Sequence, residues 1–391
     1  MYRIQTLNNI SVAGLERFPR DRYEIASEIS SPDAILVRSA RMHDMALPAS
    51  VRAVGRAGAG VNNIPVDAMT RSGIPVFNAP GANANAVKEL VVAGMLMAAR
   101  NIGQAWRFAT GLAGDDATIH REVEAGKKQF VGFELPGRTL GVIGLGAIGV
   151  KVANAARALG MKVIGYDPTI TVRAAWALDS DVQQALSVDD LVARSDFITF
   201  HVPLTDTTRN MINADRLKLM RRRSVLLNFA RDGIIDDQAA VAALDSGQLY
   251  AYVCDFPSNL LKDHPRVITL PHLGASTSEA EENCARMVAD QVRDWLENGN
   301  VSNSVNFPEI SLPRTEEGHR IAVVNSNVPN MLGQISTDLA AAGLNIIDML
   351  NKSRGELAVT LLDVDAEPPQ AAMDRIASIE GVLSVRCLGC E

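Results

Sequence analysis

"TLGVIGLGAIGVKVANAARALGMKVIGYD", residues 139–167, reads as strand, turn, helix and strand in one continuous stretch. "TLGVI" is apolar and β-rich, "GLGAIG" interrupts it, and the helical run that follows stops at Gly160. Gly144, Gly146 and Gly149 have the spacing G-x-G-x-x-G. In such a turn the first glycine permits the bend and the second lets the backbone approach a pyrophosphate. The third lets helix pack on strand, and the helix start then presents unpaired N–H groups to the phosphates. Asp167 closes the second strand 18 residues after Gly149. A carboxylate there can accept from both ribose hydroxyls and repels a 2′-phosphate, so NAD is expected over NADP. A plain glycine turn with Asp167 capping a strand is the bland alternative, and the strand and helix flanking the motif weigh against it.

Working outward, "FITFHVPL", "SVLLNFA", "AYVCDF" and "RVITLP" read as further strands, with helical segments between most of them. That is an open, doubly wound α/β sheet ending near residue 271. Upstream, "AILVRS", "VRAVGRAG" and "IPVFNAP" alternate with helical stretches and close on an apolar helix from about Asn85 to Ala99, a second parallel sheet. Residues 101–137 are more polar and helical, a crossover. Downstream, "GASTSEAEENCARMVADQVRDWLENGN" is one long helix, with Ser276 and Glu279 at capping-box spacing and Gly299 as its stop. Residues 305–318 read as a linker, and 319–391 follow the order βαββαβ, a ferredoxin-like unit.

At 391 residues the chain exceeds one ordinary domain, and 47% apolar with 21% charged residues is a globular balance. A formal charge of −7 argues against nucleic acid and offers anions no general attraction, so local arginines must hold any anionic substrate. "MYRIQTLNNISVAG" has no signal-peptide pattern, and no apolar run reaches the roughly 18 residues of a membrane span. A cytoplasmic protein without membrane partners is expected. Four cysteines make no disulfide framework, and the lone Cys387-x-x-Cys390 lacks the second half of a zinc site, so no metal is expected.

Ligands of open α/β sheets bind at the carboxyl ends of the strands. Arg231 ends "SVLLNFA", Asp255 ends "AYVCD", His272 follows "VITLP" and His201 lies inside "FITFHVPL". Arginine gives a fork of donors that matches a carboxylate and stays charged, and histidine exchanges protons near neutrality. Each alone could be a satisfied core polar group. Together, behind a dinucleotide motif, they suit oxidation of a 2-hydroxy acid.

"GRTLGVIGLGAIG", "HVPLTDTTRNMIN", "LLNFARDGIIDD" and "PHLGAST" resemble the signature stretches of the D-isomer-specific 2-hydroxy acid dehydrogenases, and "VRSA", "VGRAGAGVNNI" and "NAPGANANAVKEL" extend the likeness. The resemblance implies two Rossmann-like domains: a discontinuous substrate-binding domain, 1–100 with 275–310, and an NAD-binding domain, 101–274. Long helices would form the hinge. Arg231 would bind the substrate carboxylate, His272 would be the acid/base, and Asp255 would hold the nicotinamide amide. The cofactor would also meet Ala147, Ile148, Val202, Pro203, Phe229 and Ala230 beside the three glycines, Asp167 and His201. Gly60 and Val61 would offer N–H groups to the carboxylate, Arg38 and Arg56 would face a substrate phosphate, and Ser39 and Asn85 would supply polar contacts.

Two departures from the family stand out. Asp232 replaces the usual glycine after the arginine, and an acid that faces away to cap the next helix is the expected resolution. The glutamate that pairs with the family's histidine is missing: Asn259-Leu260 stand there, so Asp263 substitutes or His272 works without an acid. A slower enzyme, or one with a lower pH optimum, is expected.

"NSNVPNMLGQISTDLAAAGLNI" resembles the ACT domain, which implies an L-serine effector at Asn325, Asn327 and Asn345, or a unit that only pairs subunits. The resemblance as a whole implies oxidation of D-3-phosphoglycerate with NAD, the entry to L-serine synthesis, by a homodimer or homotetramer. Another 2-hydroxy acid (glyoxylate, hydroxypyruvate or 2-hydroxyglutarate as the reaction partner) is the second expectation. A catalytically weak sensor of dinucleotide and amino acid is the third.

Overall fold

The computed structural model describes residues 1–315 and 318–389. Its backbone forms two compact units: residues 1–83 together with the described residues from 281 onward, and residues 84–280. The chain passes between them in the first turns of the helices Ala84–Ala99 and Ser278–Asn298.

In the first unit, strands β1 (Tyr2–Leu7), β2 (Tyr23–Ala26), β3 (Ala34–Val37), β4 (Ala53–Arg56) and β5 (Val76–Phe77) form a parallel sheet in the order β2-β1-β3-β4-β5. The helix Ser278–Asn298 lays Ala285, Val288, Val292 and Trp295 on this sheet among Ile4, Leu36, Ala53 and Phe77. Gly14 and Gly55 let it approach: a Cβ at Gly55 would stand 2.8 Å from Val288. Thr277, not Ser276, caps the helix, since its Oγ1 accepts from Ala280 N at 3.1 Å. Gly299, at φ +75°, ends it as expected.

In the second unit, β6 (Thr139–Ile143), β7 (Lys162–Tyr166), β8 (Gln183–Gln184), β9 (Phe197–Phe200), β10 (Ser224–Asn228), β11 (Leu249–Cys254) and β12 (Val267–Thr269) make a parallel sheet ordered β12-β11-β10-β9-β6-β7-β8. Strand order reverses between β6 and β9, the switch point where such sheets bind ligands. The central strands β6, β9, β10 and β11 are buried throughout, as a parallel sheet covered on both faces requires.

The C-terminal strands β13 (His319–Ser326), β14 (Ile346–Arg354), β15 (Leu357–Val364) and β16 (Val382–Leu388) form an antiparallel sheet ordered β14-β15-β13-β16. With the helices Met331–Ala341 and Gln370–Ser378 this is the expected βαββαβ arrangement. One sheet face packs on those helices through Ile321, Val323 and Leu362. The other joins the core of the first unit through Ala322, Val324, Val359, Leu361 and Leu388. Cys390 lies outside the described residues, and Cys254 and Cys284 are buried free thiols. No helix among the described residues is long and apolar enough to cross a membrane.

Candidate active site

The glycine turn sits at the switch point. Gly144 has φ +90°, and a Cβ on it would stand 2.6 Å from the carbonyl oxygen of His201. A Cβ on Gly149 would stand 1.9 Å from the carbonyl oxygen of Gly144, so helix and turn meet only because the side chain is missing. At Gly146 a Cβ would meet nothing within 4 Å, which keeps the space before the helix Ala147–Ala158 clear. Asp167 is tied to the same turn: Oδ2 accepts from Leu145 N at 2.8 Å, and Oδ1 from Thr169 N at 2.9 Å. A carboxylate has about four acceptor positions, so capacity remains for a ribose hydroxyl. The open cradle and the acid beside it fit a dinucleotide.

His201 follows β9 and closes onto β6 through its N–H to Ile143 O, at 2.8 Å. Its Nε2 lies 3.1 Å from Thr199 Oγ1, while Nδ1 is buried and has no partner among the described residues. Burial pushes its pKa down to about 3, so the ring is neutral at neutral pH, with one nitrogen protonated and the other not. Val202 packs beside Gly144, and Pro203 accepts from the Thr208 hydroxyl at 2.6 Å.

Arg231, Asp255 and His272 follow three consecutive neighbours in the sheet, β10, β11 and β12, at one end. Buried Asn228 sets the backbone before the arginine: its Oδ1 accepts from Ala230 N at 3.2 Å, and its Nδ2 donates to Arg231 O at 2.9 Å. The exposed guanidinium donates to Ala230 O at 2.6 Å. Phe229 packs against Gly94 of the helix Ala84–Ala99, where a Cβ would stand 2.9 Å from its ring. Asp232 is exposed and caps no helix among the described residues. The cap of the helix Asp237–Asp245 is Asp236, which accepts from Ala239 N at 3.1 Å. Asp237, at the first helical position, is pushed up to about 6 by burial and by the charges of Asp232 and Asp236.

Asp255 is 1% exposed and spends its carboxylate on the segment after His272, accepting from Leu273 N at 2.9 Å and Gly274 N at 3.0 Å. His272 itself has φ +56°, a conformation that few residues other than glycine adopt. Its ring neighbour is Phe256, edge-on at 5.3 Å between centroids. Among the described residues no carboxylate pairs with the ring. Asp263 pairs with Lys262 at 2.9 Å, and no hydrogen bond or ion pair joins it to His272 among the described residues.

In the first unit, Arg38 follows β3 and Arg56 ends β4, so the two leave the same end of neighbouring strands. Arg56 Nε donates to Arg38 O at 3.1 Å, and Arg38 Nη2 meets Glu281 Oε1 at 2.5 Å. Ser39 N points to Asn8 Oδ1 at 3.3 Å. The loop carrying Gly60 and Val61 is anchored by Asn78, whose Nδ2 donates to Ala59 O at 2.6 Å. Neither Gly60 N nor Val61 N donates to another described residue. Asn85 belongs to the second unit, where its Nδ2 donates to Glu89 at 2.8 Å.

The three C-terminal asparagines do not meet within one chain. Asn325, buried and with no partner for its Oδ1 among the described residues, pairs in register with Ala358, and Asn327 Nδ2 donates to Gly355 O at 3.2 Å. Asn345 sits at the opposite end of β15, its N–H donating to Asp365 Oδ1 at 2.9 Å. Sequence reasoning did not single out Asn228, Asn78 or Glu281. Asn228 carried the same signal as His201, a polar residue within an apolar strand. The other two carried none.

Residues 92–274 match the family model described as "D-isomer specific 2-hydroxyacid dehydrogenase, NAD binding domain". The chain is 38% identical over 350 residues to the D-3-phosphoglycerate dehydrogenase of Methanocaldococcus jannaschii, covering 87% of this chain but 63% of that protein. It is 32% identical over 349 residues to the D-3-phosphoglycerate dehydrogenase of Escherichia coli, covering 86% of this chain and 81% of that one. Among solved structures, NAD⁺-bound 3-phosphoglycerate dehydrogenase of Entamoeba histolytica aligns with a TM-score of 0.61 and 25% identity, over 78% of this chain and 98% of that one.

Proposed function

The chain belongs to the D-isomer-specific 2-hydroxyacid dehydrogenases, and within that family we propose that it oxidises D-3-phosphoglycerate to 3-phosphohydroxypyruvate with NAD⁺, at the entry to L-serine synthesis. The observation that supports this reading is that Arg231 and His272 follow β10 and β12, on either side of β11, at one end of a sheet whose glycine turn is open at its switch point.

Arg231 would grip the substrate carboxylate with its fork of donors and draw charge from the neighbouring C2 oxygen. His272 would take the C2 hydroxyl proton during oxidation and return it during reduction. Bound NAD⁺ would accept the hydride from C2. Asp255 orders the segment that carries His272, and carboxylate capacity not used there would accept from the nicotinamide amide. Gly60 and Val61 would add N–H donors to the carboxylate, Arg38 and Arg56 would meet the phosphate, and Ser39 and Asn85 would supply polar contacts. Substrate binding would fall to residues 1–100 and 275–310, nucleotide binding to 101–274 and regulation to 319–391, with residues 84–100 and 275–280 packing in the nucleotide-binding unit. The enzyme would work in the cytoplasm.

The edge strand β14 supports a homo-oligomeric form. It exposes Ile347 and Met349, and its outer main-chain edge has no strand neighbour in the sheet. Antiparallel pairing of two such edges would bring Asn345 of one copy toward Gly355, and hence Asn327, of the other. An L-serine site at Asn325, Asn327 and Asn345 would then be completed by a second copy.

The test is NADH oxidation with 3-phosphohydroxypyruvate beside hydroxypyruvate, glyoxylate and 2-oxoglutarate, each with and without L-serine. Preference for the phosphorylated acid supports the reading. Turnover of the others alone would move the enzyme elsewhere in the family. NADH binding with no turnover would favour a sensor.

A further inference from the structure

Arg38 and Arg56 are not simply two cations awaiting an anion. Glu281, in the first turn of the helix Ser278–Asn298, already engages Arg38, with Nη2 and Oε1 2.5 Å apart. Both partners are partly exposed, at 39% and 40% of their side chains, so solvent reaches the pair. Arg56 is drawn into the same cluster by its bond to the main chain of Arg38. Its guanidinium folds over Gly58, where a Cβ would lie 2.1 Å from Nη1. One turn further along the helix lies Cys284, a buried thiol whose pKa is pushed up, chiefly by burial.

The carboxylate of Glu281 already neutralises the guanidinium of Arg38. A phosphate tail that takes Arg38 must release it from Glu281, whereas an uncharged tail leaves the pair as it stands. Exposed ion pairs are weak, so the exchange is easy, but it biases the site against the more highly charged tail.

We propose that Glu281 is a specificity-determining residue: its carboxylate is a resident anion on Arg38 that an incoming phosphate must displace, and it sets how strongly the site favours a phosphate tail over an uncharged one. This rests on the reading of Arg38 and Arg56 as the cations that meet the tail of a 2-hydroxy acid.

Glu281→Gln keeps an oxygen to accept from Arg38 and removes only the charge. Glu281→Asp keeps the charge and serves as the control for shape. The measurement is KM for 3-phosphohydroxypyruvate relative to KM for hydroxypyruvate, in wild type and both variants, at low and high salt. The expected result is a ratio about 2- to 5-fold lower in Glu281→Gln, near the wild-type value in Glu281→Asp, with the gap narrowing in salt. A purely structural role would move kcat or both KM values together. An unchanged or higher ratio in Glu281→Gln would overturn the proposal. Failure of the wild type to turn over the phosphorylated acid refutes the functional reading instead, and is seen before any variant is compared.

Discussion

Asp255 holds His272 from behind. Its buried carboxylate accepts from the two N–H groups that follow the histidine, Leu273 at 2.9 Å and Gly274 at 3.0 Å, and so fixes a residue at φ +56°. Left-handed backbone at a residue other than glycine persists only where its surroundings impose it. A carboxylate with two charge-assisted acceptor bonds is such a restraint. In this chain the histidine is oriented through its main chain and packed edge-on by Phe256, with no acid on its ring among the described residues.

Replacing Asp255 with Asn should therefore act through position. One acceptor becomes a donor facing an N–H, and the segment shifts. A misplacement of about 1 Å can cost about 10²-fold, so kcat is expected to fall by about that factor while ADP-ribose still binds. Near-full turnover in this variant would show that the clamp is dispensable.

Asp167 should decide between the two nicotinamide dinucleotides. Hydrogen bonds to a charged group contribute about 1.5–3 kcal/mol, so Asp167→Ala is expected to lower the NADH-over-NADPH ratio of kcat/KM by about 10- to 100-fold. The measurement is that ratio, and an unchanged value would remove Asp167 from the ribose site.

His201 should make the fold sensitive to acid. The unfolded chain binds its proton near 6.5, whereas burial holds the folded ring neutral down to about 3. Its contribution is complete above 6.5 and is lost as pH falls toward 3, because the unfolded state gains the proton first. At pH 5 the loss is about 1–2 kcal/mol. Thermal unfolding of His201→Gln should fall less steeply than wild type between pH 7 and 5, and parallel curves would contradict the assignment.

In the C-terminal unit, Arg320 and Asp363 form a fully buried ion pair. The guanidinium also donates to Asn298 O, Leu312 O and Pro313 O, at 3.1, 3.0 and 2.9 Å. Arg320→Met would strand the Asp363 charge, at a cost of about 3–5 kcal/mol. Adding Asp363→Leu should restore part of it. Denaturant unfolding of the single and double variants checks this, and equal loss in both would mean that the three carbonyl bonds matter and the pair does not.

Much of this was open to reading in the chain. The strand–turn–helix–strand of residues 139–167 survives intact, because apolar runs, glycine spacing and the Gly160 stop all point the same way. The strand-end residues are where parallel topology requires them. The helix caps slipped: Ser276 lies beside the true cap Thr277, and "RDGIIDD" offers three acids of which Asp236 has the right phase. Strand β8 is two glutamines at a sheet edge, with no apolar signal to betray it. The burial of β15 on both faces was readable in "LAVTLLDV", a nearly continuous apolar run. What covers its second face was not, because side-chain pattern reports burial and not the partner. The pairing of Glu281 with Arg38 joins residues far apart in sequence and leaves no local trace.

The most direct test of the account is His272→Gln, assayed for NADH oxidation with 3-phosphohydroxypyruvate alongside NADH binding. Loss of a positioned acid/base is expected to lower kcat by about 10²- to 10⁴-fold with NADH affinity retained. Turnover close to wild type would contradict it, and would place the proton transfer elsewhere.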